Sequence, residues 1–565
     1  MLIGIDVGGT YTDGVLYEGS SIVSSVKRPT DETNLKNSLL QVLDELVGSG
    51  EKDKLKRVVL STTLVTNLLA TRRGERTALL LLPGHGLPQQ VYATGPDTYF
   101  LKGGVDFRGR VIEPPDKNEI RDVLKEVESL GIKRVAVAAK FANRNNEHEK
   151  LIRKIIEEEY PDISVVISSE ISCKLNFPRR AVTAYFTAMT LKEWNRFADD
   201  IEQALKERDV EAEIHILKAD GGTIPLSVSR KKPYETVFSG PAASTMGAVA
   251  LTRDNLNSVV LDIGGTTTDI SLIIGGQPLY ASRGAHIEGR YTHINALAVK
   301  SIPLGGDSIV WCEWYANGDS AIRVGPHRKG AAACFGGEQP TVTDVFNYNL
   351  DLKLGKPELS KAKLEELAQK VRLSTVDLCD NIVEMVIDHL ADAVEDMFKE
   401  WENEPAYKVW EIIHGRKFRL DRLIGIGAAA EAIIPLVAKK MNVDHFIHKY
   451  SPVANALGAC VVRPTLAVEV HVDTENNFFT VDPGGYRKSL GKTGNFQLSD
   501  AKELAQKYLK EIGQERGMGE YINEFQFYME EQFNVIKGWH RAGKLFDIGV
   551  QVSPGFINEY RGVDA

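Results

Sequence analysis

A nine-residue pattern occurs twice in this chain, and it restricts the fold more than any other feature. Residues 5–13 read I-D-V-G-G-T-Y-T-D and residues 261–269 read L-D-I-G-G-T-T-T-D. Seven of the nine positions agree when Ile and Leu are equated, at an offset of 256 residues. Each copy follows an apolar β-type run and is followed by another, at residues 14–16 and 270–274. Each therefore reads as a strand, a Gly-rich turn and a returning strand. Two copies at this separation predict two homologous halves, each opening with a hairpin of phosphate-binding size.

The residue types suit that task. Paired glycines (Gly8, Gly9; Gly264, Gly265) adopt dihedrals closed to other residues and let backbone N–H groups approach a phosphate. The hydroxyls of Thr10, Thr12, Thr266 and Thr267 are candidate donors to phosphate oxygens. Asp6 and Asp262 stand just before each turn, where they would repel phosphate unless a cation lay between; Mg²⁺ is the natural bridge, with Asp307 assisting through water. Asp13 and Asp269 end the hairpins, as candidates to orient a nucleophile or take a proton, or as turn residues bonding the backbone. A lone G-G-T turn is as well explained as a tight hairpin; the matched pair favours a site that grips a triphosphate from both sides.

Around the hairpins, β-like runs at residues 57–61, 77–82, 134–139, 164–168 and 213–217 alternate with helical spacing at 34–47, 118–130, 147–159 and 181–208. That alternation predicts α/β layering with much parallel pairing. A long helical region is expected over 360–401, then strand-loop-helix units at 423–440 and 445–462. Beyond Pro464 the pattern changes to β-type runs, a helix from Ser499 and a last strand near 545–552. Three units are expected: 1–245, with an inserted α/β region, 246–464, and a small α+β appendage over 465–565.

Further motifs carry a resemblance. Residues 239–248 (SGPAASTMGA) resemble a small-residue helix connecting two lobes, and residues 304–307 (LGGD), with Gly305 and Gly306, a turn that follows the second phosphate loop. Residues 425–431 (GIGAAAE) resemble an adenosine loop, with Gly425, Gly427, Ala428 and Glu431 at the nucleoside, and residues 451–458 a second connecting helix. The series is similar to that of the acetate and sugar kinase/Hsp70/actin superfamily. The resemblance implies an α/β fold of two ribonuclease-H-like lobes with ATP and Mg²⁺ in the cleft. Within it, residues 1–464 most resemble the A-type subunit of the hydantoinase/oxoprolinase family, through residues 61–74 (STTLVTNLLATRRG), 239–248, 262–269 and 323–344.

That resemblance implies ATP-dependent attack on a cyclic amide or related carbonyl compound, with a B-type partner subunit or a homo-oligomer. An amide carbonyl is a poor electrophile, and phosphorylating its oxygen creates a leaving group. Thr62, Thr63, Thr66 and Asn67, at the end of a strand and before Arg72-Arg73, are candidates for substrate contact or for an ordinary helix cap. The chain departs from the family pattern at residues 295–308 (NALAVKSIPLGGDS), where a His and a glycine triplet are missing, and at residues 218–222 (KADGG). Those changes bear on the substrate. A plain small-molecule kinase and an ATP-driven protein-remodelling switch are the rival readings.

Other classes are disfavoured. There is no G-x-G-x-x-G fingerprint and no Walker A Gly-Lys-Ser/Thr. A formal charge of −9 gives no reason to expect nucleic acid, and no apolar run approaches the roughly 18 to 20 residues that span a bilayer. Five scattered cysteines without a C-x-x-C pair predict a reducing cytoplasm. His286 with His293, and His445 with His448, lack the company of a metal site.

Overall fold

The structure is a computed structural model; it describes residues 1–31, 34–48, 52–315, 320–403, 419–491, 495–538 and 540–563. Its first sheet runs Thr223–Pro225, Glu213–Leu217, Arg57–Thr62, Leu2–Val7, Tyr11–Glu18, Ser21–Pro29. Leu2–Val7 pairs antiparallel with Tyr11–Glu18 and parallel with Arg57–Thr62. Both Leu2–Val7 and Arg57–Thr62 are buried at every residue, as strands covered on both faces must be. Helices Leu35–Val47 and Phe177–Glu207 cover one face, packing Leu39, Leu43, Trp194 and Ile201 into its core.

The second sheet repeats this plan. Ser258–Ile263 pairs antiparallel with Thr268–Ile274 and parallel with Arg422–Ile426, beyond which lies Asp444–Phe446. Gln277–Pro278 and Val299–Ile302 both pair with Thr268–Ile274. Counting each lobe's own strands, both sheets contain the order 3-2-1-4-5 of a ribonuclease-H-like lobe, with Thr223–Pro225 as a sixth strand at the edge of the first. The registers agree too: Asp6 stands opposite Asp13, and Asp262 opposite Asp269. The duplication in the sequence is a duplication of architecture.

Between the lobes, helices Ser239–Thr252 and Ala454–Val461 cross at glycine. A Cβ on Gly247 would stand 2.0 Å from the Ala454 carbonyl oxygen, and one on Gly458 2.2 Å from that of Ala243. The small-residue runs are thus required by backbone contact. The inserted region is a four-stranded parallel sheet, Ser164–Ile167, Arg134–Ala139, Thr77–Leu82, Thr98–Phe100, with its own apolar core.

One expectation needs correction. The helical region over 360–401 is two helices, Pro357–Val371 and Thr375–Glu402. Arg372, at φ +59°, ends the first, and the Ser374 side chain caps the second by accepting from the Asp377 N–H. The C-terminal unit is α+β, as expected. It is a five-stranded antiparallel sheet, Tyr486–Ser489, Phe478–Asp482, Leu466–Asp473, His540–Val552, Gln526–Lys537, with helix Leu498–Glu515 packed on it. The chain then returns across the lobes: Ile557 N–H donates to Val461 O at 2.9 Å and Tyr560 Oη to Ala250 O at 2.9 Å. No helix among the described residues is long and apolar enough to cross a membrane.

Candidate functional site

The two hairpin turns face one another. Each is closed by its own backbone bond, Gly8 N–H to Tyr11 O at 3.0 Å and Gly264 N–H to Thr267 O at 3.0 Å. The N–H groups of Gly9, Thr10, Gly265 and Thr266 find no partner among the described residues. A Cβ on Gly265 would lie 3.2 Å from Thr10 Oγ1 and 2.9 Å from Asp307 Oδ2, so three turns converge there. Unspent N–H groups on opposed glycine turns form a nest for an anion.

Three sequence-predicted contacts have other duties. Thr12 is buried, with its hydroxyl 2.9 Å from that of Thr30; its counterpart Thr268 donates to Leu304 O at 2.6 Å. The strand pleat turns these side chains away from the cleft, so Thr12 is no phosphate ligand. Gly305 and Gly306 are braces: Gly306 N–H donates to Gly264 O at 2.9 Å and Asp307 N–H to Gly265 O at 2.7 Å. Gly305 N–H is spent on Ser308 Oγ, at 2.9 Å. This turn holds the second hairpin in place and offers no N–H of its own to a phosphate.

Behind the hairpins sits a cluster of buried carboxylates. Asp6 Oδ2 accepts from Asn455 Nδ2 at 2.8 Å, while its buried Oδ1 has no hydrogen-bond partner. Burial, with the charges of Asp13 and Asp262 against it, raises Asp6 to about 6, although bonds from Ser61 and Asn455 oppose the shift. Burial also raises Asp262, against a hydrogen bond from Ser244. Asp269 is pushed up to about 7 by burial and then by Asp262, with Ser301 opposing. Asp13 differs: burial raises it, but Lys27 Nζ donates to it at 2.7 Å and Asn455 Nδ2 at 3.2 Å.

An orphaned acceptor among mutually repelling carboxylates fits a divalent cation. Among the described residues, no three His, Cys, Asp or Glu are grouped to hold a metal by themselves. A cation here would therefore complete its shell with phosphate oxygens and water. Asp307, half-buried, is answered by Arg328 at 3.1 Å.

The nucleoside candidates divide. Gly427, at φ +89°, lies against the second hairpin's strand, where a Cβ would meet Ile263 O at 2.5 Å. Ala428 and Glu431 are exposed, at the start of helix Ala430–Met441. Gly425 is a packing residue, since a Cβ there would meet Ile434 at 2.8 Å and Ala430 at 3.0 Å. Of the threonine group, Thr62 caps the Leu64 N–H at 3.2 Å, and Thr66 Oγ1 accepts from the Phe238 N–H at 3.0 Å. Asn67 Nδ2 donates to Thr63 Oγ1 at 3.3 Å. These residues join the end of strand Arg57–Thr62 to the start of helix Ser239–Thr252.

Sequence reasoning missed Asn455 and Lys27, which tie up Asp13, and missed a cavity of about 710 Å³ that Asp269 shares with residues of both lobes. Residues 279–301 supply most of its lining, and only the departures at 295–308 marked any of them.

The chain matches the hydantoinase/oxoprolinase family over residues 180–467 and that family's N-terminal region over residues 2–160. The gamma subunit of acetophenone carboxylase from Aromatoleum aromaticum is 25% identical over 452 residues, 70% of this chain and 60% of that one. The alpha subunit of caprolactamase from Pseudomonas jessenii is 24% identical over 429 residues, 70% of this chain and 59% of that one. The matched stretch thus spans about three-fifths of these curated relatives. A nucleotide-free structure of acetone carboxylase superposes with a TM-score of 0.72 at 17% identity, covering 98% of this chain and 87% of that one, which shows a shared fold. The chain belongs to the hydantoinase/oxoprolinase family.

Proposed function

We propose, from that membership and the facing hairpins, that this chain is the ATP-hydrolysing part of an enzyme that activates a cyclic amide or related carbonyl compound by phosphorylation. Its relatives include a caprolactamase whose structure is described as ATP-dependent. The convergence of Gly265, Thr10 and Asp307 over a buried carboxylate cluster carries the reading. Gly8, Gly9, Thr10, Gly264, Gly265, Thr266 and Thr267 would hold the phosphates, and Gly427, Ala428 and Glu431 the nucleoside. Asp6 and Asp262 would hold Mg²⁺, directly or through its waters, with Asp307 beside them. When bound, Mg²⁺ neutralises charge developing on the transferring phosphoryl group.

The chain's own residues then do three things. Unspent N–H groups orient the triphosphate. The braced second hairpin fixes that orientation, with little reorganisation during transfer. Asp269, held near neutrality, can accept a proton from the attacking water. Ring opening of a lactam balances over two waters. The carbonyl oxygen takes the phosphoryl group and ADP leaves. One water adds at carbon and the C–N bond breaks, the nitrogen leaving as an amine that keeps the water's protons. A second water adds at the acyl phosphate carbon, and phosphate leaves with the former carbonyl oxygen. Several relatives are named subunits, so a partner subunit is proposed here too. All five cysteines are free, which supports a reducing cytoplasm.

The test is phosphate release from Mg-ATP by the purified chain, against lactams, hydantoins, ketones and small acids, with ring-opened product followed by mass spectrometry. Release stimulated by one carbonyl class is expected. Full ATP turnover in both Asp6→Asn and Asp262→Asn would overturn the site. A stable phosphorylated product would make the chain a kinase.

A further inference from the structure

We infer that a second, charged cavity, between the first lobe and the C-terminal unit, binds a small zwitterion, an amino acid of the size of glycine or alanine, and that the bound ligand stiffens the wall of the cavity beside Asp269. The inference goes beyond the nucleotide reading, since it needs neither ATP nor a carbonyl substrate. Unspent charge is the first argument. Lys174, Lys218, Glu235, Glu469, Asp482 and Arg516 line this cavity, from both units. Arg516, 5% exposed at the end of helix Leu498–Glu515, donates no side-chain hydrogen bond among the described residues, and its ion pair with Glu235 spans 3.7 Å. Lys218 also stands 3.7 Å from Glu235, with its Nζ spent on Asp220 at 2.8 Å.

Asp482 is buried, and one of its oxygens accepts from the Cys173 N–H at 2.6 Å; the other accepts nothing among the described residues. Glu469 is close enough to repel it, and Lys174, 2.9 Å from Glu469, answers that carboxylate first. A buried guanidinium and a buried carboxylate oxygen without hydrogen bonds are each costly. One molecule that brings a carboxylate to Arg516 and an ammonium to Asp482 satisfies both. A simple anion would leave Asp482 unanswered and face Glu235 and Glu469, and a simple cation would leave Arg516 unanswered. The cavity holds about 60 Å³, room for roughly four to six water-sized groups. That admits glycine or alanine and shuts out longer amino acids.

Position is the second argument. The two stretches where the chain departs from its family's pattern meet here, Lys218 and Asp220 from residues 218–222 and Asn295 from residues 295–308. Their neighbours along the chain face the other way: Ala219 and residues 296–301 line the cavity of about 710 Å³ beside Asp269. Leu297 N–H donates to Ala219 O at 2.8 Å, which joins the two stretches into one partition. A ligand held on one side of that partition reduces its freedom on the other.

Titration calorimetry on the full chain, without nucleotide, tests the inference separately from ATP turnover. Glycine or L-alanine should bind at least tenfold more tightly than acetate or methylammonium, which carry one charge each. Arg516→Gln and Asp482→Asn should each weaken glycine binding tenfold or more. Ala467→Met, which fills the cavity without changing its charges, should do the same, and thermal melting checks that each variant is folded. Hydrogen exchange over residues 293–299 should slow severalfold when glycine is bound. Acetate or methylammonium binding as tightly as glycine overturns the ligand class. Failure of the folded chain to bind either amino acid overturns the site, whose polar groups would then be met by water. Unchanged binding in the folded Ala467→Met chain, or in both charge variants, overturns the location, and unchanged exchange overturns the link between the cavities.

Discussion

Asp13 and Asp269 occupy the same rung of their two ladders and have opposite surroundings. Asp13 is held by Lys27 and Asn455, whereas Asp269 stands among other carboxylates beside a cavity. Asp269→Asn is therefore expected to cut ATP turnover by about 10²-fold or more while leaving the melting temperature unchanged or higher. Asp13→Asn should cost about 1 to 3 kcal/mol in a denaturant titration, by leaving Lys27 without its partner, with less than a tenfold loss of turnover. Thr10→Val should raise the KM for ATP severalfold. Thr12→Val, whose hydroxyl faces Thr30, should leave that KM alone. The repeat marked all these residues in the sequence and gave both copies the same part. What separates them arrives from Asn455, 442 residues from Asp13 along the chain, which no local pattern reports.

At the scale of elements, two crossing helices set the distance between lobes. Gly458 lies against the backbone of Ala243 and Gly247, while a Cβ on Gly240 meets nothing within 4 Å. Gly458→Ala should thus cost about 3 kcal/mol or more, since backbone must move, and should lower ATP turnover by displacing the carboxylates those helices hold. Gly240→Ala should shift the denaturant midpoint little in either direction. Equal midpoints for the two variants would contradict the packing described. The strands of both lobes were legible because buried strands are short apolar runs between breakers. Helix Glu147–Glu159 agrees with its apolar spacing at both ends. The break at Arg372 was not legible, because one left-handed residue leaves the helical spacing on either side intact.

At the scale of the molecule, the C-terminal sheet is tied to the first lobe by buried charge. Burial alone would raise Glu235, but Arg516 of the C-terminal unit, with Lys218 and Lys232, holds it down at about 2. A depressed carboxylate contributes stability above its unfolded pKa and loses it as pH falls, here between about 4.5 and about 2. Glu235→Gln should cost about 2 to 4 kcal/mol near pH 7, and the difference from the parent chain should vanish by about pH 2. Asp482, raised to about 6 by burial, works in the opposite sense: its contribution is present below about 4 and lost as pH rises through about 6. Chemical denaturation from pH 2 to 8 reads both. This junction escaped sequence reasoning because Glu235 and Arg516 stand 281 residues apart along the chain, and no local pattern links them.

The central claim is that one site, built from two copies of one hairpin, passes phosphate to a carbonyl oxygen. A lactam labelled with ¹⁸O at its carbonyl tests it most directly, incubated with Mg-ATP and a stoichiometric amount of the chain. Inorganic phosphate carrying the label, with none formed by Asp269→Asn, is the expected result. Ring-opened product accompanied only by phosphate with solvent oxygen would contradict the account, because the carbonyl oxygen would then not have left with the phosphoryl group.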